Sequence, residues 1–384
     1  MSAAAFDAPP VPASRPSAES LRDVLRSERE RILLADARAD VSGRVDPELL
    51  GLLRSAGFFS ATVPASLGGP GLSLLEATQL LAGLAALSPS AALLCAMPLG
   101  TLAITGLPES FVPAGQREAF RARIRLMAEQ ALAGRIFGVA NTEPGTGGDL
   151  ANTRTRSVRG SDGIVRLHGF KSFASFAGSA DVWMSSARDE EGHVDAYLVS
   201  SRAPGLRYTS TWDAVGMRGT ESIGVHLEGA PAEDLLGYRG MLEGPNARHF
   251  STLGFAAVFT GIARAALEEG RPAASQSAWA GVRLAEAAMR TEAAAALVES
   301  VAREGGDWPL PPGYRTRAVM AKTFAAETAV AVAETANLAL GGRVYGTANG
   351  GRAARLLRDA LSGPLLRPPL PLAYQEIARA LAEG

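Results

Sequence analysis

Cysteine is nearly missing from this chain of 384 residues. Cys95 stands alone, which excludes a disulfide framework within the chain and any multi-cysteine metal site. Histidine is almost as scarce: His168, His193, His226 and His249 are scattered, which argues against a histidine-built metal cluster. Lysine occurs only at Lys171 and Lys322, the remaining basic charge being arginine. Neither sign of charge dominates. With 38 Lys+Arg against 39 Asp+Glu the net charge is -1, which removes the electrostatic footprint of a nucleic-acid binder. No run reaches the roughly 20 uninterrupted apolar residues of a membrane span. Ser90 to Leu107 comes nearest and is broken by Pro98 and Gly100. The Ala/Pro/Ser-rich stretch from Met1 to Ser17 has no apolar core behind a basic start, so no secretory signal is expected. These absences predict a soluble, cytoplasmic protein that partners neither nucleic acid nor membrane. Also missing are G-x-S-x-G, G-x-x-x-x-G-K-[ST], H-E-x-x-H and a G-x-G-x-x-G after a strand. With no self-contained chemistry in its side chains, the chain points to a borrowed cofactor.

What is present is an ordinary globular composition, 47% hydrophobic and 20% charged, long enough for two or three packed subdomains. Residues 1–16 read as a disordered tail. Residues 17–134 carry helical spacing: Ser17 to Asp40, a helix opened by Asp46-Pro47-Glu48, another over Ser73 to Leu87, an apolar one from Ser88-Pro89-Ser90, and Arg117 to Ala133. Residues 135–240 change to short two-periodic runs, with Gly160-Ser161-Asp162-Gly163 as a hairpin turn and strands at Asp181–Ala187, Asp195–Ser200 and Ser222–Leu227. Residues 241–384 return to helical periodicity, with Phe250–Glu269, Ala278–Arg303, Arg315–Leu340, Gly350–Leu361 and Leu372–Ala382 on Ala-rich faces. The predicted class is α+β: an all-α N-terminal domain, a central β-barrel or sandwich, and a C-terminal four-helix bundle.

One set of segments is specific. Val139-Ala-Asn-Thr-Glu-Pro-Gly-Thr-Gly-Gly-Asp149, His168-Gly-Phe-Lys-Ser-Phe-Ala-Ser175, Ala180-Asp181 and Asp213-Ala-Val-Gly-Met-Arg-Gly-Thr-Glu-Ser222 resemble the acyl-CoA dehydrogenase superfamily. The resemblance continues through Gly261 to Leu267, Gly341-Gly342 and Arg355 to Asp359, so it runs in order over nearly the whole chain. It implies FAD, with FMN as the alternative. By resemblance the Asn141-Thr142 main chain and the Thr142 hydroxyl hold the isoalloxazine, and Gly147-Gly148 lie against the pyrophosphate. Phe173 packs on the ring and Ser175 bonds near its reactive nitrogen, with Lys171 also facing the flavin and Gly341-Gly342 completing the cofactor set. The departures imply loosely held flavin. Gly148 stands where the family usually has Ser, Leu338 replaces a polar residue before the Gly-Gly pair, and the R-x-x-F-G loop is missing between Leu267 and Leu284.

The family's glutamate base follows an R-D-A segment. After Arg358-Asp359-Ala360 its ungapped position falls on Arg367, which stays protonated and accepts no proton. Glu376 lies more than two helical turns further on, and the alternative base position falls near Ser251. The resemblance therefore implies an oxidoreductase of atypical mechanism acting on an acyl thioester or acyl acid in specialised metabolism, with Arg367 gripping a substrate carboxylate. A second reading is a reduced-flavin- and O2-dependent monooxygenase in which Ser175 pairs with His249. A third is a non-catalytic relative. Expected partners are a small-molecule or carrier-bound acyl substrate, a flavin reductase or electron-transfer protein, and a second copy in a homodimer or homotetramer.

Overall fold

The computed structural model describes residues 16–209, 211–243, 249–344 and 351–383, without the side chains of residues 243 and 249. The tail expected over 1–16 therefore lies almost wholly outside the described residues. The N-terminal block opens with α1 (Ala18–Ser27), where Ser17 and Ser20 form a capping box, and α2 (Arg29–Ser42). The single helix predicted over Ser17 to Asp40 is thus two, with Glu28 capping the end of one and the start of the next. In α3 (Pro47–Ala56), Asp46 accepts the Leu49 N–H and Gly57 closes the helix at φ 86. Then come α4 (Leu74–Ala85), with a Ser73/Glu76 capping box, α5 (Pro89–Leu102) and α6 (Arg117–Leu132).

Among the described residues the middle of the chain forms one mixed sheet of eight strands. They are β1 (Phe137–Val139), β2 (Arg156–Arg159), β3 (Val165–Ala174), β4 (Val182–Arg188), β5 (Val194–Ser200), β6 (Leu206–Tyr208), β7 (Ile223–Pro231) and β8 (Asp234–Leu235). Their order is β6-β7-β3-β2-β4-β5-β8, and β1 pairs parallel to β4. Strands β1, β6 and β8 are three residues or fewer, too short for alternation to reveal.

The C-terminal part holds α7 (His249–Gly270), α8 (Ala278–Glu304), α9 (Tyr314–Leu340), α10 (Gly351–Ala360) and α11 (Leu370–Glu383). Small residues let these helices approach closely. A Cβ on Gly261 would lie 2.3 Å from the Ala82 carbonyl oxygen, so this glycine of the family-like segment serves the α4–α7 crossing. Two apolar stretches have a length that suits a bilayer, Pro89–Gly106 and Phe250–Ala273, but each is 72% buried inside the chain as core helix. One hydrophobic cluster runs from Leu21 and Leu81 through Phe176 and Trp183 to Phe259 and Leu356, joining all three parts.

Buried charges make a second seam. On α10, Arg355 pairs with Asp36 at 2.9 Å and Arg358 with Asp40 at 2.7 Å, while Asp359 accepts the Met217 N–H at 2.6 Å. A Cβ on Gly216 would fall 2.1 Å from the Arg358 carbonyl oxygen. Helix α10 therefore clamps the 213–222 segment between itself and α2, fixing the loop that borders the site.

Candidate active site

The site begins with a fault in β3. Lys171 pairs with Val225 of β7 and Ala174 with Ile223, so β3 spends three steps where β7 spends two. One extra residue at such a bulge reverses the alternation of side chains. Lys171 consequently points into the sheet, fully buried, whereas Phe173 two residues later is 46% exposed. This corrects the expectation that Lys171 faces the flavin. Its Nζ instead donates to Glu143 Oε1 at 2.6 Å and to the Ser186 carbonyl at 2.6 Å. Glu143 also accepts from the Arg154 N–H, the Thr155 N–H and the Thr155 hydroxyl. Burial pushes that carboxyl up, but Lys171 and the Thr155 and Arg154 donors more than reverse it, holding it below the ordinary carboxylate range. Burial brings Lys171 down to about 8 against the pull of Glu143, and the nearby charge of Arg367 acts in the same direction as burial. The acid of the Thr-Glu-Pro-Gly turn is thus an anchor for the turn.

Above this anchor the Asn141–Gly148 loop lies beside β3. The Thr142 carbonyl accepts the Ser172 N–H at 2.7 Å, and Ala140 bridges Ala174. The Asn141 side chain is spent on β4, accepting the Ser186 N–H at 2.7 Å and donating to Met184. Asp181 of the Ala-Asp pair is equally structural, accepting from Arg54 at 2.9 Å and from the Ile136 N–H at 2.8 Å. Gly147 (φ +62) has open space on its Cβ side, so its backbone offers an unobstructed approach. Phe173 meets Trp212 edge to face at 6.0 Å and otherwise presents its ring outward. An exposed aromatic ring on a rigid strand, a bare glycine turn and the Ser175 hydroxyl are what a planar, polyfunctional ring system requires. The residues fit a flavin.

Opposite stands the segment that carries Arg367. A Cβ on Gly148 (φ +79) would lie 3.1 Å from Pro369 Cδ and 3.6 Å from Arg367 Cγ. Two positions far apart in the chain therefore meet, and the missing Ser at 148 has a cause: left-handed backbone and Pro369 both disfavour a side chain. The loop is pinned from beneath by the other lysine. Lys322 Nζ donates to the carbonyls of Gly363 at 2.9 Å, Leu366 at 2.5 Å and Pro368 at 2.9 Å. Burial lowers Lys322 to about 8. Glu376, the first carboxylate after Asp359, is turned away to Arg315 at 2.7 and 3.1 Å.

Sequence reasoning missed Glu143, Lys322, Trp212 and the Ser222–Thr220 pair. The signal for the lysines was their scarcity, since both are buried and each holds one wall of the site. Gly341 (φ +64) ends α9 and lines a cleft of about 1150 Å3 with Asp40, Arg218, Asn337, Leu338 and Arg358. His249 opens α7, but its side chain lies outside the described residues.

This combination of helical block, sheet and helices around such a face defines a class of flavin-dependent oxidoreductases. The acyl-CoA dehydrogenase N-terminal, middle and C-terminal domains match residues 16–109, 138–230 and 253–367 respectively. The chain belongs to the acyl-CoA dehydrogenase family. Over 92% of this chain and 90% of the relative it is 28% identical to the amino sugar nitrososynthase DnmZ of Streptomyces peucetius. It is 31% identical to the L-evernosamine nitrososynthase of a Micromonospora species, covering 95% and 89%. A short-chain acyl-CoA dehydrogenase of Megasphaera elsdenii is 27% identical over 84% and 86%. Among solved structures, FMN-bound TdsC from Paenibacillus superposes with a TM-score of 0.81 at 20% identity, covering 93% of this chain and 96% of that one.

Proposed function

We propose that the protein is a reduced-flavin-dependent monooxygenase of the acyl-CoA dehydrogenase fold, oxygenating a small molecule with O2. The observation that carries this reading is Arg367 beside Gly148. A dehydrogenase that abstracts an α-proton needs a carboxylate base, and a permanent cation accepts no proton. Full-length similarity to two nitrososynthases supports the same direction. Bound reduced flavin supplies two electrons, with one atom of O2 entering the substrate and the other leaving as water. In this reading the Asn141-Thr142 main chain and Gly147 hold the flavin, Phe173 packs on it and Ser175 faces its edge. Arg367 binds a carboxylate or phosphate of the substrate. FAD or FMN suits a site with few retained side-chain donors, and a separate reductase would deliver it to a homodimer or homotetramer in the cytoplasm.

Oxidation of an acyl thioester or acyl acid is the second reading, favoured by Arg367 itself. An arginine that binds a substrate carboxylate would let loss of CO2 replace proton abstraction. The two separate cleanly. Supplied with NADH, a flavin reductase and 18O2, the protein should give a product carrying 18O. Flavin bleaching by an acyl-CoA under anaerobic conditions, without reductase, would overturn monooxygenation in favour of acyl oxidation.

A further inference from the structure

Three hydroxyls run inward from the proposed flavin face. Ser175 Oγ lies 3.0 Å from Ser222 Oγ, and Ser222 Oγ lies 2.9 Å from Thr220 Oγ1. Thr220 Oγ1 donates to the Met217 carbonyl at 2.8 Å. The inner two are shut off from water, Thr220 being 1% and Ser222 6% exposed. Their end point is fixed too: Met217 adopts a left-handed backbone (φ 52), and its N–H is held by buried Asp359 at 2.6 Å.

The polarity of this chain follows from counting protons. A carbonyl oxygen only accepts, and each hydroxyl carries one proton. Two oxygens at 2.8 Å need a proton between them, and at the inner end only Thr220 can provide it. The middle bond then takes the Ser222 proton, and the outer bond takes the Ser175 proton. The Met217 carbonyl also receives the Trp212 Nε1–H at 3.2 Å and the Thr220 N–H at 3.1 Å, both longer than the hydroxyl contact. Reversing the chain would set lone pairs against each other in a dry place. Ser175 therefore turns only lone pairs outward.

We propose that the Ser175–Ser222–Thr220 chain, ending on the Met217 carbonyl, makes Ser175 an acceptor only and so makes the site selective for reduced over oxidised flavin. This rests on the flavin reading above. Reduction places N–H donors on ring nitrogens that are bare acceptors in the oxidised cofactor. An acceptor-only hydroxyl bonds the first and repels the second. Thr220 and Ser222 are thus positioning residues acting through Ser175.

Dissociation constants for oxidised and anaerobically photoreduced FMN and FAD, measured on the whole protein, test this. The wild type should bind the reduced form at least about tenfold more tightly. Thr220→Val keeps the shape, frees the Ser175 proton to point outward, and should cut that ratio by about tenfold, equivalent to roughly 30 mV of midpoint potential. Thr220→Ser should restore the wild-type ratio, and Ser222→Ala provides the same reading as Thr220→Val if the valine variant does not fold. A wild-type ratio near one, or variants that move both constants alike, would overturn the selectivity alone. A wild type that binds neither flavin in either redox state would overturn the flavin reading and this inference together.

Discussion

Replacing Lys322 with Met probes the wall that carries Arg367. Methionine matches the length of the lysine stem but donates nothing to the carbonyls of Gly363, Leu366 and Pro368. Each buried acceptor left without a donor costs about 1–3 kcal/mol, a ceiling of roughly 9 kcal/mol for three. Removing a fully buried ammonium, with no carboxylate paired to it among the described residues, returns several kcal/mol. The net loss should be about 3 kcal/mol, read as a lower urea midpoint at unchanged slope. Hydrogen exchange should quicken over residues 361–370 and not in the sheet. The pH dependence has a definite sign. Burial lowers the folded pKa to about 8, below the ordinary lysine value, so through the interval above 8 the unfolded chain holds a proton that the folded one has released. Stability contributed by Lys322 therefore rises with pH there, and the gap between wild type and variant should widen by about 2 kcal/mol between pH 7 and pH 10. A gap below about 0.5 kcal/mol, or one that narrows toward pH 10, would refute the assignment of Lys322 as a buried pin.

Asp359 offers the opposite titration. Burial, with Asp36 and Asp40 near, raises its pKa to about 8, so the stability it contributes is full below the ordinary carboxylate range and is lost as pH rises through 8. Asp359→Asn keeps an oxygen for the Met217 N–H without the charge and should gain on the wild type from pH 5 to pH 9 in thermal unfolding, whereas parallel curves would contradict it. Gly148→Ser must hold φ +79 and crowd Pro369, so it should lose about 1–2 kcal/mol and bind flavin more weakly in a fluorescence titration. Wild-type stability in that variant would place the 363–369 loop elsewhere.

Much of the architecture is legible from local pattern. The caps at Asp46 and Ser73 and the Gly57 stop mark helix ends, and short runs bounded by turn residues mark β4 and β5, because these signals act within a few residues. The Asn141–Gly148 loop runs beside β3, where the Thr142 carbonyl accepts the Ser172 N–H. The burial of Lys171 has a cause that no residue pattern carries: the bulge in β3 between Lys171 and Ala174 has no signature in hydrophobic periodicity.

The amino-acid sequence by itself determined the order of helical, strand and helical segments and the glycines that permit positive φ. Those properties are set by nearest neighbours or by residue identity. Only the folded chain decided that Arg367 stands against Gly148, that two scarce lysines pin opposite walls, and that two hydroxyls align behind Ser175. Such contacts join positions distant along the chain, and their donors and acceptors gain direction only once burial removes water as a partner.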